Sequence, residues 1–200
     1  TALTWADKLT TDSKITQKTY KERSGVDFEY LPSPIDTEKL DEISDVEKKG
    51  KQIVYVGRDS YEKGIDILRN IESKIHGKIV YCTNLPWKQA MKNLKASSVL
   101  VVPSRMESLP QSIKEAFFLR VPVVATSVGD IPNLVQNDVT GILIPPNDAD
   151  LLVRAINLSL EQKEKSTKMA ALAYDYIMNN FTWKTLLPKY IEFYEKLTIG

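Results

Sequence analysis

The chain holds one cysteine, Cys82, and one histidine, His76, in 200 residues. A lone thiol cannot close an internal disulfide, and one imidazole beside one thiol is too few for a dedicated zinc site. An excess of either charge is also missing: 27 Lys and Arg face 26 Asp and Glu, a net of +1. Chain-wide basicity therefore gives no case for nucleic acid as a partner. No run is long and apolar enough to span a bilayer, and the start lacks a signal-peptide pattern. No internal repeat or low-complexity segment is visible. A cytoplasmic setting fits these absences. The first residue is Thr1 rather than methionine, so the chain is expected to be a piece of a longer protein. Any membrane association is expected to come through the missing part.

What is present is alternation. Residues 52–56, 78–82, 98–102, 121–125 and 141–144 are short, mostly β-branched runs that end at Gly57, Thr83-Asn84, Pro103, Thr126-Ser127 and Pro145-Pro146. Helical patterns follow several of them: about 64–75, 86–96, the stretch after Pro103, and a helix capped by Asp148 or Asp150 running to about 162. This alternation predicts βαβ units: a parallel sheet with helices on both faces, which 200 residues can build as one α/β domain with appendages. Upstream, residues 10–23 read as a helix with Thr11, Asp12 and Ser13 as candidate caps and Gly25 as its stop. Residues 28–31 are β-prone, Pro32-Ser33-Pro34 reads as a linker, and 36–48 as a charged surface helix. The tail, 164–197, reads as two helices. One carries a stripe of Tyr174, Ile177, Met178 and Phe181; the other carries Leu186, Leu187, Tyr190, Ile191, Phe193, Tyr194 and Leu197. Pro188 is tolerable in the first turns of the last helix.

Ligands of such sheets bind outside the carboxyl ends of the strands, and the polar clusters Gly57-Arg58, Ser104 to Glu107 and Ser127 to Asp130 all fall there. The most informative stretch is Pro103-Ser104-Arg105-Met106-Glu107-Ser108-Leu109-Pro110-Gln111-Ser112-Ile113-Lys114-Glu115. It reads as a strand exit, a polar turn and the start of a helix, whose free amides favour phosphate. If most of that interval were helical, Glu107 and Glu115 would stand roughly 10–12 Å apart, at ~1.5 Å per residue. That is about the reach of a sugar-diphosphate-ribose unit. In Gly57-Arg58-Asp59-Ser60-Tyr61-Glu62-Lys63-Gly64, Arg58 and Lys63 place two cations at the same edge, suited to phosphate oxygens.

Each element also has a bland reading. Arg58 and Lys63 could be solvated charges paired with Asp59 and Glu62, and Glu107 could simply favour a helix dipole. A paired-carboxylate glycosidase is a poor fit, since the basic residues point to a phosphorylated ligand. His76 reads as a helix C-terminal cap. Trp87 and Tyr61 could stack on a base or could be packing. Ser127 to Asn133 could supply free amides or merely connect a strand to a helix.

Taken together these segments resemble the nucleotide-sugar-binding domain of group 1 glycosyltransferases, which pair two Rossmann-like domains in the GT-B architecture. The matching signatures are Val56-Gly57-Arg58 with Lys63-Gly64, Pro103 to Pro110 with Glu115-Ala116, Val121 to Thr126 with Val128-Gly129-Asp130-Ile131-Pro132, and Thr140-Gly141-Ile142-Leu143-Ile144-Pro145-Pro146. They cover about half the chain. The resemblance implies that Arg58 and Lys63 hold a diphosphate, Glu115 accepts from ribose hydroxyls, and Glu107 contacts the transferred sugar. Gly57, Ser104 and the amides near Ser108 and Leu109 would complete the substrate site. Glu107, Arg58 and Lys63 are the implied catalytic residues. The implied reaction is glycosyl transfer with retention of configuration, from a nucleoside-diphosphate sugar to a glycan, lipid or small-molecule acceptor, with neither cofactor nor metal.

Residues 1–35 would be the tail of a first domain plus linker, 36–180 the nucleotide-sugar domain, and 181–200 a helix crossing back to the first domain. On that division the piece alone is expected to bind donor weakly and transfer nothing. Three departures from the family pattern stand out. One strand and its Gly-rich turn are missing before residue 78, Asp130 replaces a glycine and could crowd a sugar phosphate, and no complete first domain is present. The alternatives are a noncatalytic nucleotide-sugar-binding or interaction domain, and a sugar-nucleotide epimerase of the same architecture.

Overall fold

The computed structural model describes residues 5–198; residues 1–4 and 199–200, the outer ends of the expected first and last segments, lie outside the described residues. The chain begins with β1 (Thr10–Thr11), α1 (Lys14–Ser24) and β2 (Glu29–Tyr30), a small parallel βαβ unit. Ser13 caps α1 by accepting from the Thr16 amide at 3.0 Å. Then come α2 (Thr37–Asp41), β3 (Gln52–Val56), α3 (Ile65–Ile71), β4 (Lys78–Cys82), α4 (Trp87–Ala96), β5 (Val99–Val102), α5 (Gln111–Phe118) and β6 (Val123–Thr126). The chain finishes with α6 (Ile131–Leu134), β7 (Ile142–Ile144), α7 (Ala149–Glu161), α8 (Lys163–Asn180) and α9 (Trp183–Thr198).

Five strands form one parallel sheet in the order β4-β3-β5-β6-β7. Alternation along the strands supplies two cores. Ile53, Tyr55, Val99, Val101 and Val124 face α3 and α7, whereas Val54, Leu100, Val102, Val123 and Ala125 face α4, α5 and α8. From β3 the chain leaves over one face toward β4; from β5 it leaves over the other face toward β6. The two exits diverge, and a crevice opens between the carboxyl ends of β3 and β5, the topological switch point of such sheets.

The expected helix over 36–48 is corrected: only Thr37–Asp41 is helical, capped by Asp36 on the Lys39 amide. Leu40 and Ile43 are buried, and the Ile43 carbonyl accepts from the Lys95 ammonium at 2.9 Å.

Residues 32–35 are held from several sides. Ile35 donates its amide to the Phe181 carbonyl at 2.7 Å, and Tyr190 on α9 donates to the Pro32 carbonyl at 3.2 Å. Lys114, 0 % exposed, donates to the Ser33 carbonyl at 2.6 Å and to its hydroxyl at 3.0 Å. Gln111 reaches the same hydroxyl at 2.8 Å. Leu186 and Phe193 of α9 are buried, while Trp183, Leu187, Ile191 and Tyr194 are exposed, so the apolar stripe of the last helix is half covered.

Burial lowers the Lys114 pKa to about 8. The unfolded chain then binds more protons than the folded chain between about pH 8 and the ordinary lysine value. Stability contributed by this group therefore rises with pH across that window. Thermal unfolding of wild type and Lys114→Met between pH 7.5 and 10 should show the wild type gaining on the variant as pH rises, by ~1–3 kcal/mol at ~1.4 kcal/mol per pKa unit. Parallel curves would refute this.

Candidate nucleotide-sugar site

The crevice at the switch point is a cavity of about 300 Å³ lined by Gly57, Arg58, Lys63, Ser104, Glu107 and Glu115, together with Tyr55, Pro110, Gln111 and Ser112. Six of the eight site residues expected from sequence thus come together. Ser108 and Leu109 lie in the adjoining loop and do not line the cavity; the Leu109 side chain is buried in the core instead.

Two glycines allow the loops to meet. Gly64 adopts φ 65°, and a Cβ there would collide with the Pro103 carbonyl; Gly129, at φ 55°, leaves room for the Glu107 backbone in the same way. The 3-10 turn Tyr61–Lys63 seats on the exit of β5, where the Glu62 carbonyl accepts from the amides of Arg105 (2.8 Å) and Met106 (3.2 Å). Arg105 braces the same junction. Its guanidinium grips Asp66 at 2.7 and 2.8 Å, the Tyr61 carbonyl at 2.6 Å and Asn147 at 2.8 Å. This holds the Asp66 carboxyl below the usual range.

Both oxygens of Glu107 are engaged. Lys63 Nζ donates to Oε2 at 2.7 Å and Ser104 Oγ to Oε1 at 2.8 Å, with the Glu107 side chain 6 % exposed. A carboxylate buried between a charged partner and a hydroxyl is fixed in place. Arg58 is exposed and forms no ion pair among the described residues. Its expected partner Asp59 is taken by Arg69, at 2.6 and 3.1 Å. The buried Tyr55 hydroxyl donates to the Arg58 carbonyl at 2.6 Å and fixes the turn.

The far end of the cavity is Glu115, whose carboxyl is pushed up by burial and pulled down by a hydrogen bond from Trp87 and by the nearby Lys114 and Lys39. Trp87 Nε1 donates to Glu115 Oε1 at 2.7 Å, and the Lys39 ammonium lies 4.4 Å from the Trp87 ring centroid. A cavity of about 290 Å³, lined by Gly57, Arg58, Cys82, Asn84, Leu85, Trp87 and Glu115, continues from this end toward the exit of β4.

Several expectations change. Helix α5 begins at Gln111, with Pro110 at its cap position, so Glu107 stands in the loop and the spacing argument built on a mostly helical interval does not apply. The helix N-terminus itself does line the cavity, through Gln111 and Ser112. Asp130 is 1 % exposed. Its carboxylate accepts from the Ile15 amide at 3.3 and 3.4 Å and from Asn133 at 2.7 Å, and so is committed to the start of α1. Its amide donates to the Ser108 carbonyl at 3.0 Å. His76 is not a helix cap; its ring meets Glu161 of α7 at 3.0 Å. Tyr61 stacks under the Arg105 guanidinium at 3.9 Å. The bracing by Arg105 and the Trp87–Glu115 bond carry no local signal, because the partners lie 39 and 28 positions apart.

Residues 38–162 match the family described as Glycosyl transferases group 1, and the chain belongs to that family. Among curated relatives, a 41.2 kDa protein of the cps region of Klebsiella pneumoniae is 26% identical over 190 residues, covering 79% of this chain and 51% of its own. The sulfoquinovosyl transferase SQD2 of Arabidopsis thaliana is 26% identical over 166 residues, covering 70% and 32%. The crystal structure of Anabaena HepE in complex with UDP and glucose superposes with a TM-score of 0.81 at 16% identity, over 96% of this chain and 64% of that one. The fold is thus that of one part of the GT-B glycosyltransferases. The matched stretches span about half of the one curated relative's length and about a third of the other's.

Gly64→Ala tests the close approach. A left-handed backbone and a collision with Pro103 together should cost about 3 kcal/mol or more, read as a lowered midpoint in urea unfolding. A loss under about 0.5 kcal/mol would show that the loops do not need this contact.

Proposed function

We propose that this chain is the donor-binding half of a retaining glycosyltransferase, which moves a hexosyl group from a nucleoside-diphosphate sugar to a glycan, lipid or small-molecule acceptor. The observation that carries the reading is the single cavity in which two cations, a helix N-terminus and two carboxylates stand together at the sheet's switch point. Residues 1–35 would then close a first domain and supply the linker, with 181–200 returning to it. Acceptor groups would come from that first domain, so the piece alone binds donor and transfers no sugar. No helix among the described residues is long and apolar enough to cross a membrane, and a cytoplasmic setting is part of the proposal.

The geometry supports the roles that the family resemblance implies. Lys63 has three donors and gives one to Glu107, which leaves two for phosphate oxygens. Arg58, without an ion-pair partner among the described residues, can take the same diphosphate in bidentate fashion. The first amides of α5 add donors and the positive end of a dipole. As the glycosyl bond breaks, negative charge grows on the leaving diphosphate. Preorganised cations stabilise that charge more than they stabilise the ground state. Glu107, fixed by Ser104 and Lys63, is placed for hydroxyls of the transferred sugar, and Glu115 for the ribose. No cofactor or metal is assigned to the reaction. The structure of HepE with UDP and glucose makes UDP the first nucleotide to try.

Calorimetric titration of the chain with UDP, GDP and ADP should give saturable binding of one nucleotide. Arg58→Ala and Glu115→Ala should each weaken it about tenfold or more, the scale of a lost charge-assisted hydrogen bond. Binding indifferent to both substitutions would contradict the assignment.

A further inference from the structure

Glu115 is the one carboxylate that lines three adjoining cavities: the switch-point crevice, the extension toward β4, and a third of about 200 Å³ bounded by Pro34, Asp36, Lys39, Leu40, Trp87 and Gln111. Trp87 stands in the wall between the second and third. It is the first residue of α4, and Pro86 at the cap position offers no side-chain hydrogen bond to that helix start. The indole N–H instead points across to α5 and ends on Glu115 Oε1 at 2.7 Å. Among the described residues nothing else donates to the Glu115 carboxylate, and Oε2 carries no hydrogen bond. On the outer side, the Lys39 ammonium sits over the Trp87 ring.

A glutamate side chain has three rotatable bonds, and a half-buried one tends to take up a proton instead of holding a charge. A fixed N–H on one oxygen counters both tendencies. It selects one rotamer, and it favours the ionised form, which alone has both oxygens as acceptors. We infer that Trp87 is a positioning residue for nucleotide recognition: its indole N–H holds Glu115 by Oε1 so that Oε2 is presented to the ribose hydroxyls of the nucleotide. The inference rests on the nucleotide-sugar reading above and adds a residue to it. The role assigned to Trp87 rests on its nitrogen; the Lys39 ammonium covers one face of the ring.

The groups facing Glu115 set the pH behaviour. Lys39 on α2, Lys114 beside it on α5 and the Trp87 N–H on α4 favour its ionised form, while burial opposes it. Arg58 and Lys63 across the crevice add positive charge, and Glu107 and Asp36 add negative charge. Removing the indole N–H takes away a favourable contribution, so the Glu115 pKa rises. In the variant, recognition of the ribose is lost at a higher pH as the solution is acidified.

The test compares wild type, Trp87→Phe, which keeps an aromatic ring and removes the N–H, and Glu115→Gln. Each is titrated calorimetrically with UDP, GDP and ADP and with their 2′,3′-dideoxy forms at pH 6 and pH 8, after thermal unfolding confirms a folded protein. Wild type should prefer the ribonucleotide about tenfold. Trp87→Phe should lose most of that preference, with the dideoxy affinity unchanged and the residual preference falling further at pH 6. A 15N-labelled indole resonance, assigned by its absence in Trp87→Phe, should move with the ribonucleotide and stay in place with the dideoxy form. If Trp87→Phe keeps the full preference, or weakens both nucleotide forms equally, the positioning role is overturned and the nucleotide reading stands. If wild type binds none of the nucleotides, or Glu115→Gln leaves the preference intact, the underlying reading has failed and takes the positioning role with it.

Discussion

The ion pair between Lys63 and Glu107 joins two loops that the topology sends apart. The chain leaves β3 over one face of the sheet and leaves β5 over the other, so their exits diverge and open a crevice. The pair bridges that crevice at 2.7 Å, and Ser104 completes the hold on the carboxylate. The pair fixes the width of the cavity at this end, together with the Glu62 carbonyl on the Arg105 and Met106 amides. The cations and the carboxylates line one cavity, the first residues of α5 line the space with them, and Glu115 closes the far end.

Around that bridge the protein spends its long-range polar contacts on keeping the loops in place. Arg105 ties the exit of β5 to Asp66 at the start of α3 and to Asn147 after β7. Tyr55 ties the turn after β3. A second ring of contacts joins the sheet to the βαβ unit of β1, α1 and β2. The Asp130 carboxylate accepts from the Ile15 amide in the first turn of α1, where a negative charge meets the positive end of the helix. The same residue's amide holds the Ser108 carbonyl. Lys114, one position before Glu115, holds the Ser33 carbonyl. The N-terminal unit and the site are thereby bound to the same short stretches of chain. These contacts link the orientation of the N-terminal unit to the loops that carry Glu107 and Glu115.

The strands were legible because their information is local. Runs of β-branched residues with turn-forming residues at their ends gave 52–56, 78–82 and 141–144 nearly to the residue, and the parallel sheet followed from the intervening helices. Asp148 and Ser13 were readable as caps for the same reason. Residues 36–48 were only partly legible: the helix ends at Asp41, and beyond it Ile43 is buried with its carbonyl bonded to Lys95, 52 positions away. The cation pair was half legible: its place at the sheet edge was clear. That Lys63 would turn to Glu107 while Asp59 went to Arg69 depended on packing between separate units. Asp130 read as an intruder in the ligand's space because the helix start that it serves lies 115 positions earlier.

Under the proposed function, the crevice between β3 and β5 holds the diphosphate of a nucleotide between Arg58, Lys63 and the start of α5. A crystal structure of this chain grown with UDP tests it most directly. The account predicts phosphate oxygens within hydrogen-bond reach of both cations and of the first α5 amides, with the ribose against Glu115. Nucleotide bound at another surface, or seated in the crevice with Arg58 and Lys63 turned away from it, would contradict the account.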